Sequence, residues 1–494
     1  MFLCFSLILK LEVMNMENYK IYDDLLLEIF NLSAENIQSI RHENKDGKTT
    51  LFITLVPTYL ECPDCGNKHV KIKGYVDKKI THSVLTDRSC TIMYKARRYV
   101  CPVCHTTYYE KNPFVFERMK ISILTIQKIL EDLKNFNETF SSIGNRYHIS
   151  PTSVCSIFDQ HVDIPRKRLP EYINFDEVYA FKSEYSKYVC VLLDYENQTP
   201  IDILPSRRID YLREYFSKIP IEERKNVKGC CFDMYDAYRT IGRTYFPNAS
   251  LCVDHFHVAQ ELHRQLQQVR IDVMKKVNRK KNKAQREMKV DRSILPDYLK
   301  YSRQYYLLKH WNWLLMKDED DSKYFSEDIP QKYNHKFKRP MNYLDLREEL
   351  LDIDSILNES YQIKNIVSTF YKTSTYEEAP EDIEEVIQIL CQAQSENIRN
   401  FGKTFKKWKH EIINSFKIVK EVYEVDPGTG HVVVRGYKMN NAIIENKNSI
   451  IKCIKKNANG FTNWHRFRNR LMYVLGHNET YRLYPKPREK KASK

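Results

Sequence analysis

The spacing of apolar and polar positions along this chain changes character three times. In the first hundred or so residues, apolar side chains come in short strand-like runs, notably Thr49 to Val56 and TIMYKARRYV at 91–100. A short helical segment, YDDLLLEIFNL, precedes them. After Pro113 the period lengthens to three and four, as in ISILTIQKILEDLKNF. The next stretch, ETFSSIGNRYHISPTSVCSIFDQHV, predicts two short amphipathic helices parted by a turn around Tyr147 to Pro151. Ser150 suits the N-cap of the second helix and Pro151 its first position. This is helix-turn-helix spacing, which would turn Ser153 and its neighbours toward a DNA groove. A plain helical hairpin is the other reading.

The linker PRKRLP at 165–170 closes that region, and a new rhythm follows. Strands are predicted at Tyr172 to Val178, Tyr188 to Leu193 and Pro200 to Leu204, a helix at 209–219, a strand at Lys228 to Phe232, a helix at Tyr235 to Tyr245, and a strand at Ser250 to Val253. Three strands, helix, strand, helix, strand is the order of the ribonuclease H-like fold. From about 255 to 430 only long helical runs are read. The segment Asp426 to Gly430 interrupts them, and Asn441 to Asn457 resumes as a helix carrying Glu445.

The predicted class is therefore α/β, with a ribonuclease H-like catalytic core, a large all-helical insertion, and DNA-binding modules in front. The expected divisions are an N-terminal segment (1–60), a zinc ribbon (61–112), the helix-turn-helix (113–164), the first part of the core (165–258), the insertion (259–430), the C-terminal helices of the core (431–480) and a basic tail (481–494). A chain of 494 residues is too long for one core and accommodates such a division.

Charge and cysteines sharpen the picture. A formal net charge of +15 favours a polyanionic partner, most often nucleic acid. The 34 Tyr and 23 Phe exclude general disorder. Of thirteen cysteines, four form the frame Cys62-Pro-Asp-Cys65 and Cys101-Pro-Val-Cys104. Two such knuckles each present a pair of thiolates on a tight turn and together complete a tetrahedral Zn²⁺ site. A redox pair would need one C-x-x-C and a βαβ setting. Lys95, Arg97 and Arg98 beside the second knuckle make a candidate phosphate-contacting patch. The basic tract Lys275 to Lys289 is either a solvated face or a DNA-backbone contact. The apolar start, broken by Lys10, makes a poor signal peptide and is too short to span a membrane, so a cytoplasmic, nucleoid-associated protein is expected.

Candidate chemistry rests on acids at strand ends. Asp233 and Asp254 each follow a short apolar run, where Asp is also a favoured turn or N-cap residue. In the predicted fold the first and fourth strands pair, which makes Asp176 and Asp233 neighbours, and Glu445 supplies a third carboxylate. Three converging carboxylates repel unless divalent cations sit between them. Two Mg²⁺ (or Mn²⁺) ions are the usual solution for phosphodiester chemistry.

With these residues in hand, the chain resembles the DDE transposases of bacterial insertion sequences, specifically the ISL-three family, over nearly its whole length. The resemblance is carried by the C-P-x-C frame, the helix-turn-helix, NFDEVYAFK around Asp176, CFDMYDAYR around Asp233, ASLCVDHFHVAQEL around Asp254, and NAIIENKNSIIKCIKKNANGFTNWHRFRNRLMY around Glu445. It implies that Asp176, Asp233 and Glu445 are the catalytic, magnesium-binding triad, and that Asp254 and His257 are an accessory D-x-x-H pair. Gly460, Phe461, Trp464 and Arg466 look like the family's C-terminal block, where Arg466 either contacts transposon-end DNA or packs. The implied partners are double-stranded DNA, as inverted repeats and as target, and a second copy of the chain. Two rivals remain at this point: a DNA-binding regulator without catalysis, and a ribonuclease H-like nuclease that does not transpose.

Overall fold

A computed structural model describes residues 36–486 apart from 58–60, 85–87, 118, 184–185, 426–427 and 429. The predicted helix YDDLLLEIFNL and most of the basic tail lie outside the described residues. The chain divides into two compact units, residues 1–165 with 449–494, and residues 166–448.

The first unit is built on a five-stranded sheet. Its strands are β1 (Ile37–Lys45), β2 (Lys48–Leu55), β3 (Lys71–Thr81), β4 (Ser89–Val100) and β5 (Thr107–Tyr109), in the order β1-β2-β4-β3 with β5 on the end of β4. Asp46 and Gly47, both with positive φ, make the tight hairpin between β1 and β2. The stretch Ile37–Leu55, expected in a separate N-terminal segment, is thus part of the ribbon's sheet. β2 runs parallel to β4 from Lys48↔Ser89 to Ile53↔Tyr94, and Ile53 is buried with Ile80, Ile92, Tyr94 and Phe114. Strand and ribbon share one core because neither buries an apolar face alone.

Three helices follow in this unit, Ile123–Asp132, Phe140–Arg146 and Pro151–His161. Ser150 caps the third as expected, its hydroxyl accepting from the Ser153 backbone N–H. The helix Trp464–Leu475 belongs here too, which corrects its assignment to the core. Its buried face, Phe467, Leu471 and Tyr473, packs against the other helices. The Tyr473 hydroxyl donates to the Leu130 carbonyl at 2.9 Å, and buried Arg470 donates to the Asn135 and Glu138 carbonyls, each at 2.9 Å.

The second unit carries a sheet of β6 (Tyr172–Tyr179), β7 (Tyr188–Asp194), β8 (Thr199–Leu204), β9 (Gly229–Phe232) and β10 (Ser250–Val253), in the order β10-β9-β6-β7-β8. The first three strands are antiparallel, and β9 and β10 are parallel to β6. Helices Ile209–Ser217 and Asp236–Tyr245 supply the crossovers. One face of the sheet, with Ile173, Phe175, Cys230, Phe232 and Val253, forms the main core with these helices and with the 33-residue helix His255–Glu287.

The expectation of an all-helical insertion needs correction. Two hairpins interrupt it, β11 (Lys332–Asn334) with β12 (Arg339–Met341), and β13 (Ile418–Val425) with β14 (Val432–Lys438). The second was legible in its β-branched residues, IVKEVYEV and VVVRGYK, on either side of the break at 426–430. The first is held by a turn in which Asn334 Oδ1 accepts from the Lys336 and Phe337 backbone N–H groups. Too short to show a period of two, it hides in a helical surround. No helix among the described residues is long and apolar enough to cross a membrane.

Candidate active site

Strand register lines up the acids. Asn174 pairs with Cys231, and Cys231 with Cys252, across three adjacent parallel strands. Two residues further on, the same row reads Asp176, Asp233, Asp254. Residues two apart share a face, and neighbouring strands lie about 4.8 Å apart. The row therefore crowds three carboxylates at one edge of the sheet. The face it belongs to, with Tyr172, Cys231 and Cys252, packs against Met439 and Ile443 at the start of the helix Ala442–Asn457.

That helix is fastened to β6 by a set of asparagines. Asn174 Nδ2 donates to the Asn440 carbonyl at 2.6 Å and to Asn441 Oδ1 at 2.7 Å, and Asn441 Nδ2 donates to the Phe175 carbonyl at 3.3 Å. Three residues past Glu445, Asn448 Nδ2 donates to Asp176 Oδ2 at 2.7 Å. The Glu177 backbone N–H donates to the other Asp176 oxygen, also at 2.7 Å. Asn441, Glu445 and Asn448 fall at i, i+4 and i+7, one face of the helix. That spacing was a sequence signal for the two asparagines, and attention to the carboxylates alone missed it. Glu177 was missed as well. It pairs with Arg207, whose guanidinium lies 4.6 Å from the Tyr188 ring centroid and 4.9 Å from that of Tyr235.

Ligand atoms of Asp254, His257 and Glu445 all lie within 4.8 Å of one another. Glu445 thus meets the expected accessory pair, and Asp176 feels the charges of His257 and Glu445. Asp254 occupies the N-cap position of the helix His255–Glu287, yet its side chain makes no capping hydrogen bond. Its carboxylate is 2 % exposed, and Asp254 Oδ1, His257 Nε2 and Asp233 Oδ1 are buried without a hydrogen-bond partner among the described residues. Buried polar atoms are normally satisfied, so these three reserve room for an added group.

Electrostatics agree. Burial pushes the Asp176 carboxyl up to about 6. Burial, with the charges of Glu177 and Asp176, pushes Asp233 up to about 8. Carboxylates this reluctant to ionise beside one another fit a site completed by divalent cations, which suit oxygen donors and reverse the local cost of charge. A cleft of about 580 Å³ opens beside Asp233 and His257, lined further by Gln260, Glu261, Arg264 and Gln267.

In the first unit, ligand atoms of Cys62, Cys65, Cys101 and Cys104 likewise fall within 4.8 Å of one another. Cys62 Sγ is 3.4 Å from Cys104 Sγ, and Cys65 Sγ is 3.5 Å from Cys101 Sγ. A tetrahedron with Zn–S bonds of ~2.3 Å has edges of ~3.8 Å, so the four sulfurs fit Zn²⁺ after a small expansion. The Cys104 and Val103 backbone N–H groups hold the Cys101 thiol down to about 6. The Asn67 backbone N–H draws Cys65 the same way, but desolvation and the neighbouring sulfurs outweigh it and push that thiol up to about 12.

The expected DNA contacts fare unevenly. Arg97 is fully buried, bridging Glu110 at 3.2 Å and donating to the Leu55 carbonyl and to Gln38 Oε1. It is a core residue and is withdrawn as a phosphate contact, because Glu110, Gln38 and the Leu55 carbonyl cover that face of β4 and take up its guanidinium. Lys95 is exposed over the Tyr75 ring, and Arg98 is half-buried with a hydrogen bond to Thr107. The Ser153 hydroxyl meets that of Ser150 at 2.8 Å. Arg466 makes a two-pronged ion pair with Asp159, and Phe461 packs against Phe467 and Phe140. Outer positions of the tract at 275–289 are exposed, while Val277 and Ala284 are buried.

Stretches of this sequence match known proteins. Residues 173–421 match the ISL3 DDE transposase family, and residues 60–104 match the zinc finger of transposases of the IS204, IS1001, IS1096 and IS1165 elements. The chain belongs to the ISL-three family of DDE transposases, a membership that implies a ribonuclease H-like core for the sheet β6 to β10. A similar protein is the transposase for insertion sequence element IS1001 of Bordetella parapertussis, 23% identical over 258 residues. That match covers 51% of this chain and 62% of that protein. The family match includes Asp176, Asp233, Asp254 and His257 and ends before Glu445. Glu445 joins the site through its place within 4.8 Å of ligand atoms of Asp254 and His257.

Proposed function

We propose that this chain binds the terminal inverted repeats of its own insertion sequence and catalyses metal-dependent DNA strand cleavage and strand transfer. The observation that carries the reading is the row Asp176, Asp233, Asp254 under a helix that brings Glu445 to Asp254 and His257, with buried oxygen and nitrogen atoms that make no hydrogen bond among the described residues. In this reading Asp176, Asp233 and Glu445 hold two Mg²⁺ (or Mn²⁺) ions, with Asp254 and His257 as accessory groups beside Glu445. When bound, the cations would activate the attacking oxygen, first of water and then of a DNA 3′-hydroxyl, and stabilise the leaving one. Asn448 fixes the Asp176 carboxylate, and the Asn174–Asn441 contact sets the start of the helix that bears Glu445. Family membership supports transposition over a nuclease acting alone. A regulator that only bound DNA would gain nothing from burying carboxylates that repel.

The Cys₄ ribbon with structural Zn²⁺ and the helix-turn-helix are assigned to repeat binding, with Lys95, Arg98 and Ser153 as the nearest candidates for contact. Processing both ends of an element requires at least two copies on DNA. The test is cleavage of a repeat-bearing DNA with Mg²⁺ or Mn²⁺ by wild type and Asp233→Asn. The variant is expected to bind the repeat normally and to lose cleavage by ~10³-fold or more, beyond the roughly 10–100-fold typical of outer-shell changes. Equal cutting by the two proteins sinks the assignment.

A further inference from the structure

The helical region of the second unit holds a feature that strand cleavage does not use. Beneath the hairpin β11–β12 lies a cavity of about 580 Å³, within the range that small-molecule sites occupy. Four of its lining residues are aromatic, Tyr306, Trp311, Tyr333 and Tyr343. Trp311 and Tyr343 lie 6.0 Å apart with their planes inclined at 52°, while Tyr333, on the hairpin itself, is 57% exposed. Lys332 and Lys336 line the same cavity, and no acidic residue does among the described residues. The Lys336 ammonium donates to Ser302 Oγ at 3.0 Å, a neutral partner. The indole N–H of Trp311 is buried with no hydrogen-bond partner among the described residues.

These features specify an occupant. Several aromatic faces suit a flat π system, and stacking on them tolerates any base. An unsatisfied indole N–H asks for an acceptor such as a base carbonyl or ring nitrogen. Two lysines with no carboxylate among the lining residues suit a phosphate joined to that ring. A base inside a duplex cannot enter a cavity, so the occupant must be unpaired or turned out of the helix. We propose that the cavity under the β11–β12 hairpin captures a nucleobase from an unpaired or flipped nucleotide of a DNA strand, stacking it against Tyr333 and Trp311 with its phosphate on Lys332 and Lys336. The choice of a DNA strand rests on the transposase reading; the chemistry of the cavity stands independently of it.

The experiment uses the full zinc-loaded chain with no added Mg²⁺ or Mn²⁺, so that no strand is cut, and oligonucleotides without transposon ends. A single-stranded oligonucleotide carrying 2-aminopurine, its fully paired duplex, and free dAMP are titrated, following probe and tryptophan emission. Wild type should bind the single strand more tightly than the duplex and change the probe's emission. Tyr333→Ala, at an exposed position, should weaken single-strand binding about tenfold, the size of one stacked base, and leave duplex binding unchanged. Trp311→Phe, which keeps an aromatic ring and removes the N–H, should weaken it less. Equal affinity for single strand and duplex, or unchanged single-strand binding and emission in both variants, overturns the proposal. If dAMP binds as tightly as the strand and the variants lose both, the site takes free nucleotides and the strand assignment is overturned. A protein that keeps the single-strand preference yet never cuts repeat DNA counts against the proposed function alone.

Discussion

The two cation sites of this protein are built in opposite ways. The four sulfurs come from two knuckles within one stretch of 43 residues, each knuckle presenting its pair through a local turn, and ligand count and geometry are complete. The carboxylate site draws Asp176 from within β6, Asp233 and Asp254 from just past the ends of β9 and β10, and Glu445 from a helix, spread over 270 positions. No local turn brings any two of them together. Strand register and the asparagine contacts to the helix do so, leaving buried polar atoms without partners. The difference teaches that a closed, four-thiolate site secures its own fold, whereas an open site for reacting groups must be held by the structure around it.

Three measurements can break or sharpen this contrast, in order of expected effect. Cys101→Ser should remove one zinc per chain by elemental analysis and unfold the ribbon sheet. Structural zinc contributes roughly 10–16 kcal/mol in small zinc domains. Hydrogen exchange should show lost protection in β3 to β5 and unchanged protection in β6 to β10. Full zinc content, or equal loss in both sheets, would contradict a locally built site. Asn448→Ala should lower Mn²⁺ affinity and cleavage by roughly 10–100-fold, since it removes a hydrogen bond that orients a ligand. Isothermal titration with Mn²⁺ separates this from misfolding, and rescue by Asn448→Asp or Asn448→Gln is not expected to be complete. Unchanged affinity and cleavage would show that Asp176 needs no positioning.

The smallest effect is in pH dependence. Folded values of about 6 for Asp176 and about 8 for Asp233 lie above the ordinary 3.8. Between those limits the metal-free folded chain binds more protons than the unfolded chain. Their contribution to stability is therefore fully present below about pH 4 and lost as pH rises through 6 and then 8. Thermal unfolding of metal-free protein should show a midpoint falling across that window, and Asp233→Asn should flatten the fall, by roughly 2–4 °C per kcal/mol recovered. Saturating Mg²⁺ should restore more stability at pH 8 than at pH 6, because bound carboxylates must be ionised. An identical slope in wild type and variant would remove Asp233 from the crowded set.

Much of the fold was legible because its signals are local. The five strands of the second sheet, their succession along the chain, and the Ser150-Pro151 helix start follow from period, apolar runs and capping chemistry. The β11–β12 hairpin was not legible, since strands of three residues carry no periodicity. Arg97 reads as a surface charge beside Lys95 and Arg98; only the packing of β1, β2 and Glu110 around it turns it inward.

By itself the sequence determined which residue types were available: four cysteines in knuckle spacing, acids at the ends of apolar runs, and a helix with Asn441, Glu445 and Asn448 on one face. Those are properties of neighbours along the chain, fixed by turn geometry and helical period. Tertiary structure decided which acids meet. Register places Asp176, Asp233 and Asp254 in one row, and the docking of a distant helix gathers Glu445 with Asp254 and His257, because contacts between remote segments depend on packing that no local pattern encodes.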